Sequence, residues 1–224
     1  MFHKNLKSNN AFTLAEVLLV LGIIGIIAAI TIPLLIHNYR AKVLHTKLMK
    51  ANSIISQAAM FMKADDIDLG DAISNKKYEV FESYFKNGNC ELPKNAKEAG
   101  YKNYSGTRNA YEASAQSLVH PYCLFDGMIL WFCEFHWFNS GVLFAVDIDG
   151  WKFGSNRYGH DVFFWYYDFD KQAVVALGPG VFSSGENSGY DFYDKCPGKP
   201  EAEQGIACTV KAINDENYFK NLPK

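Results

Sequence analysis

The strongest pattern along the chain is an apolar run from Phe12 to Ile36, broken by one charge, Glu16. Roughly 20 apolar residues let a helix cross the hydrocarbon core of a bilayer, and this run exceeds that. After Ile36 the pattern becomes periodic. Ile36, Tyr39, Val43, Leu48, Ala51, Ile55, Ala58 and Met62 recur at spacings of mostly three and four, with Arg40, Lys42, Lys47 and Lys50 around them. That is the signature of an amphipathic helix. The two stretches together predict one helix from Thr13 to Lys63, about 75 Å long at 1.5 Å per residue. Pro33 removes one backbone hydrogen bond and predicts a bend. Gly22 and Gly25 each weaken a helix by up to about 1 kcal/mol, though glycine is common in membrane helices.

Further on, Asp65 to Asp71 reads as an acidic turn, Ala72 to Tyr84 as a short helix, and Asn87 to Ala110 as loop. From Met128 to Trp137 the period changes to two. Ile129, Trp131, Cys133, Phe135 and Trp137 share one strand face, and Met128, Leu130, Phe132, Glu134 and His136 the other. Val142 to Ile148 predicts a second strand. Asp149-Gly150 is a hairpin-turn signal leading into Trp151-Lys152-Phe153. Asp161 to Phe169 predicts a further aromatic strand. Gly178 to Pro200 is dense in Gly, Ser, Asn and Pro and reads as an exposed loop, and Thr209 to Leu222 as a closing helix or strand. The expected fold class is α+β, a long N-terminal helix packed on an antiparallel β-sheet head. The segments are a leader (1–11), a transmembrane stretch (12–36), its amphipathic continuation (37–63) and the head (64–224).

Composition narrows the reading. Of 224 residues, 49% are apolar and 21% charged, with a net charge of −2; no basic field points to nucleic acid. Aromatics reach 15% and concentrate between Tyr122 and Phe192, as in a β-rich head. The apolar run is too long for a secretory signal core, and no small-x-small site follows it, so the helix is expected to stay with the mature protein. The leader carries Lys4 and Lys7 and no acid, which favours a cytoplasmic start. The four cations from Arg40 to Lys50 argue for the opposite orientation by a bare count. The N-terminal motif and the cysteines decide for a cytoplasmic leader.

An ionised carboxylate in hydrocarbon costs several kcal/mol unless paired, so Glu16 implies a partner. Ala11-Phe12-Thr13-Leu14-Ala15-Glu16, the apolar run and Pro33 together resemble the N-terminus of type IV pilins and type II secretion pseudopilins. The resemblance covers roughly 30 residues and implies that a prepilin peptidase cuts after Ala11. Phe12 would become a methylated N-terminus, and Glu16 would pair with that amine on a neighbouring subunit. Pro33 stands where the family often has a helix-distorting proline. The family usually has Gly before the cut, and this chain has Ala11, another small residue. A cationic amine attracts a carboxylate more strongly as the dielectric falls, so the implied pairing is physically sound; a plain signal anchor would instead let Glu16 snorkel to the headgroups. Val146-Asp147-Ile148-Asp149-Gly150, with Asn156, Gly159 and Asp161-Val162-Phe163, is similar to the sheet region of many pilin-like proteins.

A head outside the cytoplasm is expected to form disulfides. Cys196 and Cys208 bracket a Pro/Gly-rich loop and look like the disulfide-bounded C-terminal loop common in pilins, a closure contributing about 3 kcal/mol in the chain-entropy model. Cys90 with Cys123 is the second pairing considered, leaving Cys133 as a buried thiol. His120, Cys123, Cys133 and His136 have spacings reminiscent of zinc ligands, but Cys133 and His136 point to opposite faces of a regular strand. Asp147, Asp149 and Asp161 could hold calcium, yet they do not fit an EF-hand loop, and turn-capping acids are the preferred reading. No metal and no cofactor is expected. Phe163, Phe164, Trp165, Tyr166 and Tyr167 form either an aromatic surface or, as preferred, a core strand. No nucleophile–base set or phosphate loop stands out, so no enzymatic activity is expected.

The resemblance implies a structural subunit of a type IV pilus or type II secretion pseudopilus. It would sit in a bacterial inner membrane with its head outside the cytoplasm before assembly. The implied partners are other pilin or pseudopilin subunits, the prepilin peptidase, and an assembly platform with its ATPase. Two rivals are a membrane-tethered binding module, such as an adhesin or tip minor pilin, and an anchored enzyme or lectin.

Overall fold

A computed structural model describes residues 13–67, 78–107, 117–134, 141–168, 171–179, 196 and 205–223. It divides into two compact units, Met1–Arg40 and Ala41–Lys224. Helix α1 (Leu14–Ala64) starts in the first and ends in the second. Its limits fall within one residue of the expected Thr13–Lys63, and it runs unbroken through Pro33. In the first unit its large apolar residues are exposed, Leu14 and Ile30 by more than 70%.

The second unit is built on a five-stranded antiparallel meander: β1 (Ser117–Cys123), β2 (Ile129–Glu134), β3 (Gly141–Asp147), β4 (Val162–Asp168) and β5 (Ala173–Ala176). Alternation in β2 and β4 sends large side chains to both faces. Leu130, Phe132, Phe163 and Trp165 meet Leu48, Ala51, Ile55 and Met62 of α1. Ile129, Trp131, Phe164 and Tyr166 meet a layer of loops and short helices on the opposite face. The Trp165 indole N–H donates to the Asn52 side-chain oxygen at 2.9 Å, fixing the helix on the sheet.

The buried stripe begins at Ala41, later than the periodicity suggests. Ile36 and Tyr39 are exposed and Val43 is half-buried, because the residues that cover the stripe meet the helix only from Ala41 onward. The helix ends in a Schellman arrangement. Asp66 takes the left-handed conformation (φ 55°), and the Ile67 N–H reaches back to the Met62 carbonyl at 2.9 Å.

Helix α2 (Tyr78–Glu82) lies within the segment read as a short helix; residues 68–77 are outside the described residues. The Asn87–Ala110 stretch is not wholly loop. Asn95 caps a single turn, α3 (Ala96–Ala99), by accepting the Glu98 N–H at 2.9 Å, and Gly100 ends it at φ 70°. The expected hairpin at Asp149-Gly150 does not form. β3 pairs along its whole length with β4, so Trp151-Lys152-Phe153 has no strand to join. These residues belong to a long β3–β4 loop, where the Trp151 indole donates to the Glu91 carbonyl at 2.8 Å. Strands β1 and β5 had no expectation. β1 carries His120-Pro121 at a bulge, with His120 at φ 52°, and proline is tolerated because the strand is an edge. β5 is only four residues long.

Of the two closing alternatives, the helical one forms: α4 (Thr209–Asn214), flanked by 3₁₀ turns at Ile206–Cys208 and Tyr218–Lys220. Thr209 closes the sheet beyond the end of β5. Its hydroxyl accepts the Phe164 N–H at 2.9 Å and donates to the Phe164 carbonyl at 2.8 Å.

Removing a fully buried isoleucine costs about 2–5 kcal/mol. Ile55→Ala is therefore expected to lower the midpoint of head unfolding, followed by near-UV circular dichroism, whereas Met49→Ala on the exposed face leaves it unchanged.

Candidate functional site

Two places concentrate the residues singled out from the sequence: the start of α1 and the β3–β4 loop. At the first, Thr13 precedes the helix and Glu16 lies in its first turn. The Thr13 backbone N–H and hydroxyl both donate to Glu16 Oε2 at 2.8 Å, and the Glu16 N–H donates to the Thr13 hydroxyl at 3.3 Å. This is a capping box, in which two groups with no partner inside the helix satisfy each other. The cap was legible in the Thr-x-x-Glu spacing, though Thr13 carried no expected role. Both incoming bonds use Oε2, and among the described residues Oε1 accepts none. The most apolar stretch of this helix is not buried. The helix is long and apolar enough to span a membrane. Thr31, near Pro33, donates to the Ile27 carbonyl at 2.9 Å, which gives the helix a local bond next to the position where proline removes one. Ala11 and Phe12 lie outside the described residues.

The second place holds three acids. Asp147 ends β3 and accepts the Gly150 N–H at 2.8 Å and the Asp149 N–H at 3.3 Å. Its other oxygen takes the Tyr101 hydroxyl at 3.0 Å, which in turn accepts the Trp131 indole at 2.9 Å. Asp161 gathers the far end of the loop. It accepts the backbone N–H groups of Ser155, Asn156 and Arg157 at 2.5–2.8 Å and the Ser155 hydroxyl at 2.8 Å. Both carboxylates are buried. Burial, then repulsion from Asp161 and Asp149, pushes the Asp147 carboxyl well up. Burial also raises Asp161, against the hydrogen bonds it accepts. Asp149 is raised to about 6, first by burial and then by Asp161, with Lys47 opposing the rise.

Such oxygens already committed to backbone amides do the work of turn capping. Among the described residues no three His, Cys, Asp or Glu side chains are arranged to hold a metal ion. Of the four zinc-like residues, the three that are described are not brought together. Cys123 is bonded to Cys90, and His120 pairs with Glu82 at 2.7 Å. Cys133 is buried among the Trp131 layer, and His136 is outside the described residues. The aromatic strand is β4, buried on both faces from Val162 to Tyr167.

The structure joins Cys90 to Cys123 (Cα–Cα 6.0 Å) and Cys196 to Cys208 (4.9 Å), leaving Cys133 as a buried thiol. The first bond ties the loop after α2 to the end of β1. Beside it Gly88 packs so closely that an added Cβ would collide with the Leu124 carbonyl. The second ties residue 196 to the segment that carries α4. Burial pushes the Cys133 thiol up, which keeps it unreactive.

Searches of protein-family models, curated proteins and solved structures give no match to this chain.

Two outcomes test the loop. Asp161→Ala strips the acceptor from several buried donors, and a loss of about 3 kcal/mol in head stability is expected in denaturant unfolding. Asp149 has a folded pKa above its unfolded value, so the folded head binds the extra proton. Stability from this group is full below about pH 4 and fades as pH rises through 6. Burial lowers His160 to about 4, which costs stability over the same range, so the Asp149 contribution is read by difference: on acidification from pH 7 to 4.5 the thermal midpoint of the wild type should rise relative to that of Asp149→Asn.

Proposed function

We propose that the chain is a type IV pilin-like subunit, serving a type IV pilus or a type II secretion pseudopilus. It is made as an inner-membrane precursor with an extracytoplasmic head, cut after Ala11 by a prepilin peptidase, and assembled through α1 by a platform and ATPase. The role is structural rather than enzymatic. The reading rests on the resemblance carried by Ala11 to Glu16. It is supported by a layout in which a long uncovered apolar helix leads into an antiparallel head. The observation that carries it is the state of Glu16: one oxygen caps its own helix, and the other accepts no bond among the described residues. A cation brought by a neighbour's N-terminus would meet that oxygen and neutralise the charge where lipid or packed helices exclude water. The apolar helices then bundle as the filament core with the heads outside.

The capping box gives the experiment its resolution. Gln serves as well as Glu in such a box, so Glu16→Gln keeps the helix start and loses the charge, whereas Glu16→Ala loses both. Both variants are expected to enter the membrane normally. Both should enter filaments less well by about a hundredfold or more, the scale of removing one partner from a buried ion pair. If Glu16→Gln assembles like the wild type and only Glu16→Ala fails, Glu16 is a cap and nothing more. Mass spectrometry of the mature N-terminus checks the processing step, with a methylated Phe12 expected and an intact Met1 in a host carrying the peptidase counting against it.

A further inference from the structure

The cations that follow the apolar run have no place in the reading above. Between Glu16 and Asp65 the chain has no acid, but it has Arg40, Lys42, Lys47, Lys50 and Lys63. Two of these find charge inside the head. Lys50 pairs with Asp126, and Lys47 lies near enough to Asp149 to act on its titration. Lys63 stands in the last turn of α1, far along the chain from the apolar run, which leaves Arg40 and Lys42. Both are exposed, and among the described residues neither side chain makes an ion pair or a hydrogen bond.

Their position in the sequence gives them a ligand. Ile36 is the last residue of the apolar run. At 1.5 Å per helical residue, Arg40 lies about 6 Å and Lys42 about 9 Å beyond it along the axis. The headgroup layer on each side of a bilayer is about 5–7 Å thick. Helical side chains lean toward the N-terminus, so both cations lean back toward that layer. Tyr39, exposed beside Arg40, is the kind of amphipathic ring found at the same level. A guanidinium forks two N–H groups onto one phosphate, and a lysine ammonium adds a point charge.

We propose that Arg40 and Lys42 form a cationic collar that binds the headgroups of anionic phospholipids, such as phosphatidylglycerol, in the leaflet at the C-terminal end of the apolar run. This rests on the membrane-spanning reading of α1. It also accounts for the orientation conflict in the sequence. With the leader cytoplasmic, these charges stand against the usual Lys/Arg distribution, and anionic headgroups on the far side offset that. Each cation at such a surface favours the anionic lipid by about fivefold, and the preference weakens as salt shortens the screening length from about 10 Å to about 3 Å.

The test uses the full chain reconstituted in phosphatidylcholine vesicles with a trace of spin-labelled phosphatidylglycerol or spin-labelled phosphatidylcholine. Electron paramagnetic resonance reads the lipid fraction immobilised by the protein. The expected result is an immobilised fraction for both labels, with phosphatidylglycerol favoured at least about fivefold at 0.1 M NaCl and less at 1 M. The double variant Arg40→Gln/Lys42→Gln should bring that ratio close to one while still immobilising phosphatidylcholine. A Lys4→Gln/Lys7→Gln variant, which removes the leader charges, should keep most of the preference. Equal affinity for the two labels in the wild type overturns the collar. So does a preference that survives the first double variant, or one that disappears with the second. Failure to immobilise either label would instead show that the helix does not enter the bilayer, and the membrane reading would fall before the collar was reached.

Discussion

A sheet with large apolar side chains on both faces needs two covers, and the rest of the head follows from that requirement. One cover is the Ala41–Ala64 part of α1, seated through Leu48, Ala51, Ile55 and Met62 and pinned by the bond from Trp165 to Asn52. The other is a layer of loops and short helices, which cannot pack as regularly as a helix. Besides the apolar packing of Ala96, Ala99, Leu177 and Ile206, it is held by polar attachments: Tyr101 to Asp147, Trp131 to Tyr101, and Asn156 to the Ala99 and Trp151 carbonyls. Buried polar groups of this kind stabilise when they find partners; the Tyr101 hydroxyl, the Trp131 indole and the Asn156 side-chain N–H groups do so here, while Asn156 Oδ1 accepts no bond among the described residues. The Cys90–Cys123 bond adds a covalent tie to the loop cover.

The parts legible in the sequence are those where a single period dominates. The apolar run and the 3.6-residue period that follows it together marked out α1, and the two-residue period divided Ile129, Trp131 and Cys133 from Leu130 and Phe132 as the sheet does. The illegible parts depend on distant partners. β1 hides behind His120-Pro121, which only an edge strand accommodates, and β5 is too short to show a period. Asp149-Gly150 carries a genuine local turn signal, but β4 takes the place beside β3 that a hairpin would have used, and tertiary pairing overrides local preference. At the candidate assembly site, Glu16 was visible as an anomaly in apolar surroundings, and its cap with Thr13 was visible as spacing. In the acid loop the three aspartates were visible, while Tyr101 and Lys47, which set their surroundings, come from segments remote in sequence.

Glu16 and Asp161 use one chemistry for different ends. Each is a carboxylate answering backbone N–H groups. Asp161 gives both oxygens to the loop and is fully occupied. Glu16 gives only one oxygen to its helix. The difference is what separates an acid that holds a fold together from one with capacity left over, and it is why the proposed assembly role falls on the start of α1 rather than on the buried aspartates.

The clasp between Thr209 and Phe164 has a consequence for the order of events during biogenesis. The central sheet is bounded in sequence by α1 on one side and by the 205–223 segment on the other, and both pack against it. Contacts that span this much chain form late and slowly. A head emerging helix-first must therefore wait, with its aromatic strands incompletely covered, until the segment bearing Thr209 has also emerged. During that interval the aromatic faces of the strands are the surface most open to non-native association.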